Sequence, residues 1–146
     1  MDNIVIKTIA DEKEIEYLRD KSSFNYTYDQ LTIDSLKKLF KLKDSLYLLA
    51  KSGDEFVGFC SVDIDWWENN YFFLREILVN PNFQKLGVGQ QLMVRCIKHA
   101  KDSGAVGVVT ETANDNFPMQ KLSEKLNFTK WENPQWEEGI TYKLVF

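Results

Sequence analysis

Val79-Asn80-Pro81-Asn82-Phe83-Gln84-Lys85-Leu86-Gly87-Val88-Gly89 is the stretch on which the reading of this chain turns. Upstream, the aromatic and aliphatic run from Tyr71 to Val79 predicts a strand that Pro81 ends. Downstream, Val88, Leu92, Cys96 and Ala100, with Met93 and Ile97 beside them, recur at helical spacing. Two glycines and a Gln-Lys pair lie between strand and helix. A glycine-rich turn that opens a helix presents backbone N–H groups without intrahelical partners, and the helix dipole adds partial positive charge there. Such a turn suits an anion, a phosphate above all.

Three phosphate-binding patterns compete for it. A P-loop requires Lys and then Ser or Thr with its last glycine, but Gly89 is followed by Gln90 and Gln91. A dinucleotide fingerprint requires a third glycine where Leu92 stands, and an acidic residue about 20 positions on, for which Glu111 is weak support. The third pattern, Val-x-Pro-x-x-Gln-x-x-Gly-x-Gly, is met by Val79, Pro81, Gln84, Gly87 and Gly89. It resembles the acyl-CoA signature of the GNAT superfamily of N-acetyltransferases, whose turn cradles the coenzyme A pyrophosphate. A bare Gly-x-Gly is also found in ordinary strand-to-helix turns; the whole pattern between a strand and an amphipathic helix is far more specific. The resemblance implies acetyl-CoA as cosubstrate, its pyrophosphate lying against Gln84, Lys85, Leu86, Gly87, Val88 and Gly89.

Length and composition narrow the field further. The 146 residues make one domain's worth, 1–146, able to bury about two-thirds of its unfolded surface. Hydrophobic residues at 44%, with 14% aromatic, fit a packed core and argue against disorder. No basic segment followed by an apolar run suggests a signal peptide, and no run of about 18 apolar residues suggests a membrane span. Cys60 and Cys96 are too few for a disulfide framework and show no metal-ligand spacing, so both are expected in the core of a cytoplasmic chain. A net charge of −4 argues against general nucleic-acid affinity. Charge is also unevenly placed. From Pro81 to Lys101 stand Lys85, Arg95, Lys98 and Lys101 with no acid, which suits a phosphorylated cofactor. From Ser52 to Leu74 stand Asp54, Glu55, Asp63, Asp65 and Glu68 with no Lys or Arg, which suits a cationic substrate or is simply a solvated face.

Periodicity and turn signals predict the order β-α-α-β-β-β-α-β-α-β-β. Strands are expected over Asn3 to Ile9, Leu46 to Lys51, Phe56 to Asp65, Tyr71 to Val79, Val106 to Thr112, Thr129 to Trp136 and Ile140 to Phe146. Helices are expected over Asp11 to Arg19, up to Lys41–Lys43 with Thr32 or Asp34 as cap, along the Val88 stripe, and over Phe117 to Leu126. Hairpins mixed with helical crossovers predict an α/β chain: a single-domain mixed β-sheet flanked by helices on both faces. The GNAT-like acyl-CoA N-acyltransferase fold has that order, so the resemblance covers essentially the whole chain.

A second, weaker echo lies nearer the C-terminus. Counting back from Phe128, Asn116 falls on the superfamily's Asn, which places it among the cofactor residues, and Asn127 falls on its Gly. The superfamily's Tyr, commonly proposed to protonate the departing sulfur, is Ser123 here. A thiol of pKa about 8.5 leaves as thiolate at a cost of only about 2 kcal/mol at pH 7, part of which Ser123, as a catalytic candidate, or a bound water can offset, so the loss is tolerable. The cofactor's amide arm can pair with the strand edge at Ile77, Leu78 and Val79, as one peptide strand pairs with another. A substrate ammonium must lose a proton before it attacks, and Glu76, three residues before Val79, is the candidate base, with Glu111, Asp63 and Asp65 as rivals. The bland alternative for Glu76 is a salt bridge or a solvated position. His99 reads as a surface residue and Cys96 as core. Phe24, Tyr26 and Tyr28 border the acceptor cleft if the resemblance holds, and Trp66 and Trp67 read as a substrate wall or as packing under a loop. The expected function is transfer of an acetyl group from acetyl-CoA to a primary amine, a small cationic molecule, by direct attack. A non-catalytic acyl-CoA-binding or sensing module on the same fold is the rival reading, and the resemblance leaves a homodimer open.

Overall fold

The computed structural model describes residues 3–19 and 28–146. Seven strands form one mixed sheet: β1 (Ile4–Thr8), β2 (Leu46–Ser52), β3 (Glu55–Asp63), β4 (Tyr71–Val79), β5 (Gly107–Ala113), β6 (Thr129–Trp131) and β7 (Gly139–Val145). Their order across the sheet is β1-β2-β3-β4-β5-β7-β6, and only the β4–β5 pair is parallel. The three α-helices are α1 (Gln30–Phe40), α2 (Val88–Asp102) and α3 (Phe117–Lys125); a 3-10 helix covers Glu12–Leu18.

The expected order is borne out, with shifts at the ends. Asp29 caps α1 by accepting from the Thr32 amide at 2.8 Å, so neither Thr32 nor Asp34 is the cap. The final hairpin joins Trp131 to Gly139 through a longer connection, because Pro134 cannot donate to a ladder and Asn133 turns the chain by accepting from the Gln135 amide at 2.8 Å.

Two cores sandwich the sheet. On one face α2 buries Val88, Leu92, Met93, Cys96 and Ala100 against Cys60, Val62, Leu74 and Val108, and α3 adds Met119 with Leu122 and Leu126 beside it. Burying a side chain such as Leu92 or Met93 contributes about 2 kcal/mol. On the other face α1 and the 3-10 helix bury Ile15, Leu18, Ile33 and Leu36 against Tyr47, Leu49 and Phe59. Cys60 and Cys96 are fully buried free thiols at the first of these cores, as their apolar surroundings lead one to expect.

Candidate active site

Strand β4 carries one extra residue relative to β3. Ser61 pairs with Glu76 while the next residue, Val62, pairs with Leu74, so Arg75 is the bulge. Side chains alternate faces along a regular strand, but the inserted residue turns both Arg75 and Glu76 toward the α1 face. Contacts agree. Arg75 grips Asp63 through Nε at 2.8 Å and Nη2 at 2.9 Å, and the Tyr28 hydroxyl donates to Glu76 Oε2 at 3.4 Å.

The bulge coincides with a split in the sheet. Parallel pairing of β4 with β5 runs from Tyr71↔Gly107 to Leu74↔Thr110, where Thr110 Oγ1 donates to the Leu74 carbonyl at 3.0 Å. Beyond that clasp β5 stays with β7 up to Ala113↔Gly139, whereas Glu76 to Val79 pair with β3 alone. Every β4 residue from Arg75 to Val79 is correspondingly half-buried. The edge of Ile77, Leu78 and Val79 facing the split therefore offers backbone groups in the middle of a sheet.

At the open end of the split lies the glycine-rich turn. Asn80 anchors it, donating from Nδ2 to the Phe56 carbonyl at 2.9 Å and accepting from the Asn82 amide at 3.0 Å. Gln84, Lys85, Leu86 and Gly87 are exposed, and both Lys85 (φ 70°) and Gly87 (φ 78°) have left-handed backbones. Gly87 caps α2 with no side-chain bond, so the first amides of α2 point outward unserved. A Cβ on Gly89 would meet Leu122 Cδ2 at 3.3 Å and Val79 Cγ2 at 3.5 Å, so helix, strand tip and α3 converge there and a side chain fits only if Leu122 gives way. Val88 is buried and contributes its backbone only. Asn116, on the far side of the split, is exposed and caps α3 by accepting from the Met119 amide at 3.3 Å.

The electrostatics of the split are those of a proton acceptor. Burial raises the Glu76 carboxyl from 4.5 to about 7, against the opposing pull of Arg75 and the Tyr28 bond. Glu111, also half-buried, is raised by burial too. Ser123 lies on the opposite side of the sheet from Glu76, fully buried on the inner face of α3, with its Oγ lacking a hydrogen-bond partner among the described residues. The acidic segment is largely neutralised: Asp63 and Asp65 pair with Arg75, and Glu68 pairs with Lys143 at 2.7 Å, leaving Asp54 and Glu55 exposed at the β2–β3 turn. Asp63 and Asp65 are thereby spoken for and are poor rivals to Glu76. Tyr28 is buried beside Glu76; Phe24 and Tyr26 lie outside the described residues. Trp66 packs on Phe73 at 5.1 Å, and Trp67, 53% exposed, packs on Trp131 at 5.7 Å. His99 is half-buried, its Nε2 2.7 Å from the Asp44 carbonyl oxygen, far along α2 from the turn. Sequence reasoning had no access to Thr141, which faces Glu111 across the β5–β7 ladder, because no motif marks that register.

A seven-stranded sheet split beside a glycine-rich helix start defines an acyltransferase architecture. The profile of the Acetyltransferase (GNAT) family matches residues 11–128, and the chain belongs to that family. A mycothiol acetyltransferase of Arthrobacter sp. is 41% identical over 54 residues, which span 37% of this chain and 17% of that protein. Among solved structures, a Pyrococcus horikoshii OT3 protein superposes with a TM-score of 0.79 at 21% identity, covering 99% of both chains. A Bacillus anthracis putative streptothricin acetyltransferase, solved with acetyl coenzyme A, superposes with a TM-score of 0.75 at 18% identity, covering 99% of this chain and 98% of that one. At those identities the likeness is one of fold.

Proposed function

We propose that the chain transfers an acetyl group from acetyl-CoA to a primary amine of a small cationic molecule by direct attack, with Glu76 as the base. The observation that carries this reading is a half-buried carboxylate raised to about 7, near the closed end of a split strand edge whose open end meets an unserved helix N-terminus. A base poised close to the working pH is the one best suited to accept an amine proton.

The residues fit the cosubstrate. The amides from Gln84 to Gly89, with Lys85, offer donors and positive charge for a pyrophosphate, and the exposed turn lets it approach. The β4 edge at Ile77 to Val79 offers backbone groups for an amide arm, and Asn116 borders the same opening. Acetyl-CoA supplies the activated acyl carbon to which the amine nitrogen bonds as the C–S bond breaks, giving an N-acetyl amide and free coenzyme A. Tyr28 holds Glu76 Oε2, which leaves Oε1 to receive the amine proton. N–H groups of the β4 edge stabilise charge at the carbonyl oxygen. Ser123 stands at the family's Tyr position but is buried on the other face, so the departing sulfur leaves as thiolate or takes a proton from solvent.

Release of free thiol from acetyl-CoA across a panel of amines tests the reading. Cationic primary amines should react best, with an apparent affinity that weakens as salt rises from about 10 to 200 mM. Binding of acetyl-CoA with no turnover of any amine would favour a non-catalytic acyl-CoA-binding module instead.

A further inference from the structure

We propose that Glu111 holds a second cationic group of the acceptor, so that α,ω-diamines are preferred over monoamines of equal length. The inference rests on the reading of Glu76 as the base that meets the reacting amine.

Register places the two carboxylates on one face of the split. Val108 and Tyr142 belong to the core under α2 and α3, so alternation along β5 turns Val109 and Glu111 to the opposite face. Glu111 is the first residue past the Leu74↔Thr110 clasp on β5, level with the Arg75 bulge and one step from Glu76 on β4. Neighbouring strands lie about 4.8 Å apart, and the split widens from there, so the two acids stand within the length of a short carbon chain of each other. Butane-1,4-diamine spans such a distance.

Charge pairing then distinguishes these two acids from the others on the face. Asp63 and Asp65 share Arg75, and Glu68 has Lys143. Among the described residues, neither Glu76 nor Glu111 has an ion pair. Arg75 cannot serve them as it serves Asp63, because its guanidinium is bonded to Asp63 and Asp65 and lies 4.6 Å over the Phe73 ring. Arg75 still pulls on both from a distance, and Tyr28 and Thr141 each bond one of them, but the desolvation of the two half-buried carboxylates outweighs these partners, and a bound cation offsets the remainder. A separate observation points the same way. Ser61 is fully buried directly opposite Glu76, on the same face, and its Oγ has no partner among the described residues. A hydroxyl so placed can accept one of the three donors of an ammonium, leaving the others for the carboxylates. Two acids and an unserved hydroxyl on one face of the split match two ammonium groups on a short chain better than one.

The test compares butane-1,4-diamine with butan-1-amine, in the parent and in Glu111→Gln and Glu111→Asp variants checked for native melting. Turnover with acetyl-CoA is read alongside calorimetric binding of each amine to the coenzyme A complex. The parent should prefer the diamine by about tenfold in KM, the worth of one charge-assisted contact. Glu111→Gln should collapse that ratio to near one, and Glu111→Asp should retain most of it. Equal affinity of the parent for both amines overturns the inference, even if other amines are acetylated and the proposed function stands. So does a Glu111→Gln variant that loses kcat equally with both amines, which would make Glu111 the base. If neither amine turns over, the calorimetric ratio alone decides.

Discussion

Replacing Glu76 by Gln separates a working base from a merely buried side chain. Burial raises the Glu76 carboxyl from 4.5 to about 7, so between those pH values the folded chain holds a proton that the unfolded chain has released. The contribution of this group to stability is therefore greatest below about pH 4.5 and is lost as pH rises through about 7. Above that, the ionised carboxylate carries the full cost of its burial. At about 1.4 kcal/mol per tenfold change in proton affinity, the rise from 4.5 to about 7 sets a ceiling of about 3.5 kcal/mol. Partial exposure of the side chain screens this to about 1–2 kcal/mol. Gln cannot ionise, so Glu76→Gln should melt about 3–8 °C above the parent at pH 8 and level with it near pH 4.5. Calorimetric melts at the two pH values read the difference directly. The same substitution should lower turnover by roughly 100-fold while acetyl-CoA affinity is retained. A variant that melts with or below the parent at pH 8, and turns over as fast, would refute both the raised carboxyl and its catalytic use.

The Tyr28 hydroxyl favours the ionised form of Glu76, so Tyr28→Phe should move the acidic limb of the kcat/KM profile to higher pH; an unmoved limb between pH 5 and 9 counts against the contact. Gly87→Glu forces a left-handed backbone onto an acidic residue where a pyrophosphate is expected, and Gly89→Glu drives a side chain into Leu122 and Val79. Either should abolish acetyl-CoA binding, and unchanged calorimetric affinity would move the pyrophosphate elsewhere. Arg75→Met strands the fully buried Asp63 and should cost about 3–5 kcal/mol in denaturant unfolding, a loss that adding Asp63→Asn should largely reverse. A double variant no more stable than the single one would mean that the pair is not what holds that corner.

What could be read without coordinates was local. The strand from Tyr71 to Val79 was bounded correctly because Pro81 stops a ladder wherever it stands, and the Val88 stripe because helical spacing repeats every turn. The glycine turn was legible for the same reason: positive φ and unserved amides are properties of a few consecutive residues. The faces of Arg75 and Glu76 were not legible, since the bulge exists only in the register against β3. Nor was the fate of the acidic run. Asp63 and Asp65 meet Arg75 ten or more positions away, and Glu68 meets Lys143 75 positions away, contacts that no periodicity announces. The place of Glu76 on its strand is legible in the sequence, but the rise of its carboxyl to about 7 comes from burial in the folded chain, which the Tyr28 bond opposes.

The parallel ladder between β4 and β5 has four rungs, and it is where the four strands β1 to β4 are stitched to the three strands β5, β7 and β6. Antiparallel ladders on either side are longer, seven rungs between β5 and β7 and six between β3 and β4. The two halves are thus joined through a short central ladder, and the backbone amides on the open edge beyond it should be less protected than those of the antiparallel ladders on either side. A guest laid along Ile77 to Val79 would lengthen the seam and stiffen the two halves against each other. Deuterium uptake should then slow on both β4 and β5 together, so occupancy of the groove would be felt as rigidity across the whole sheet.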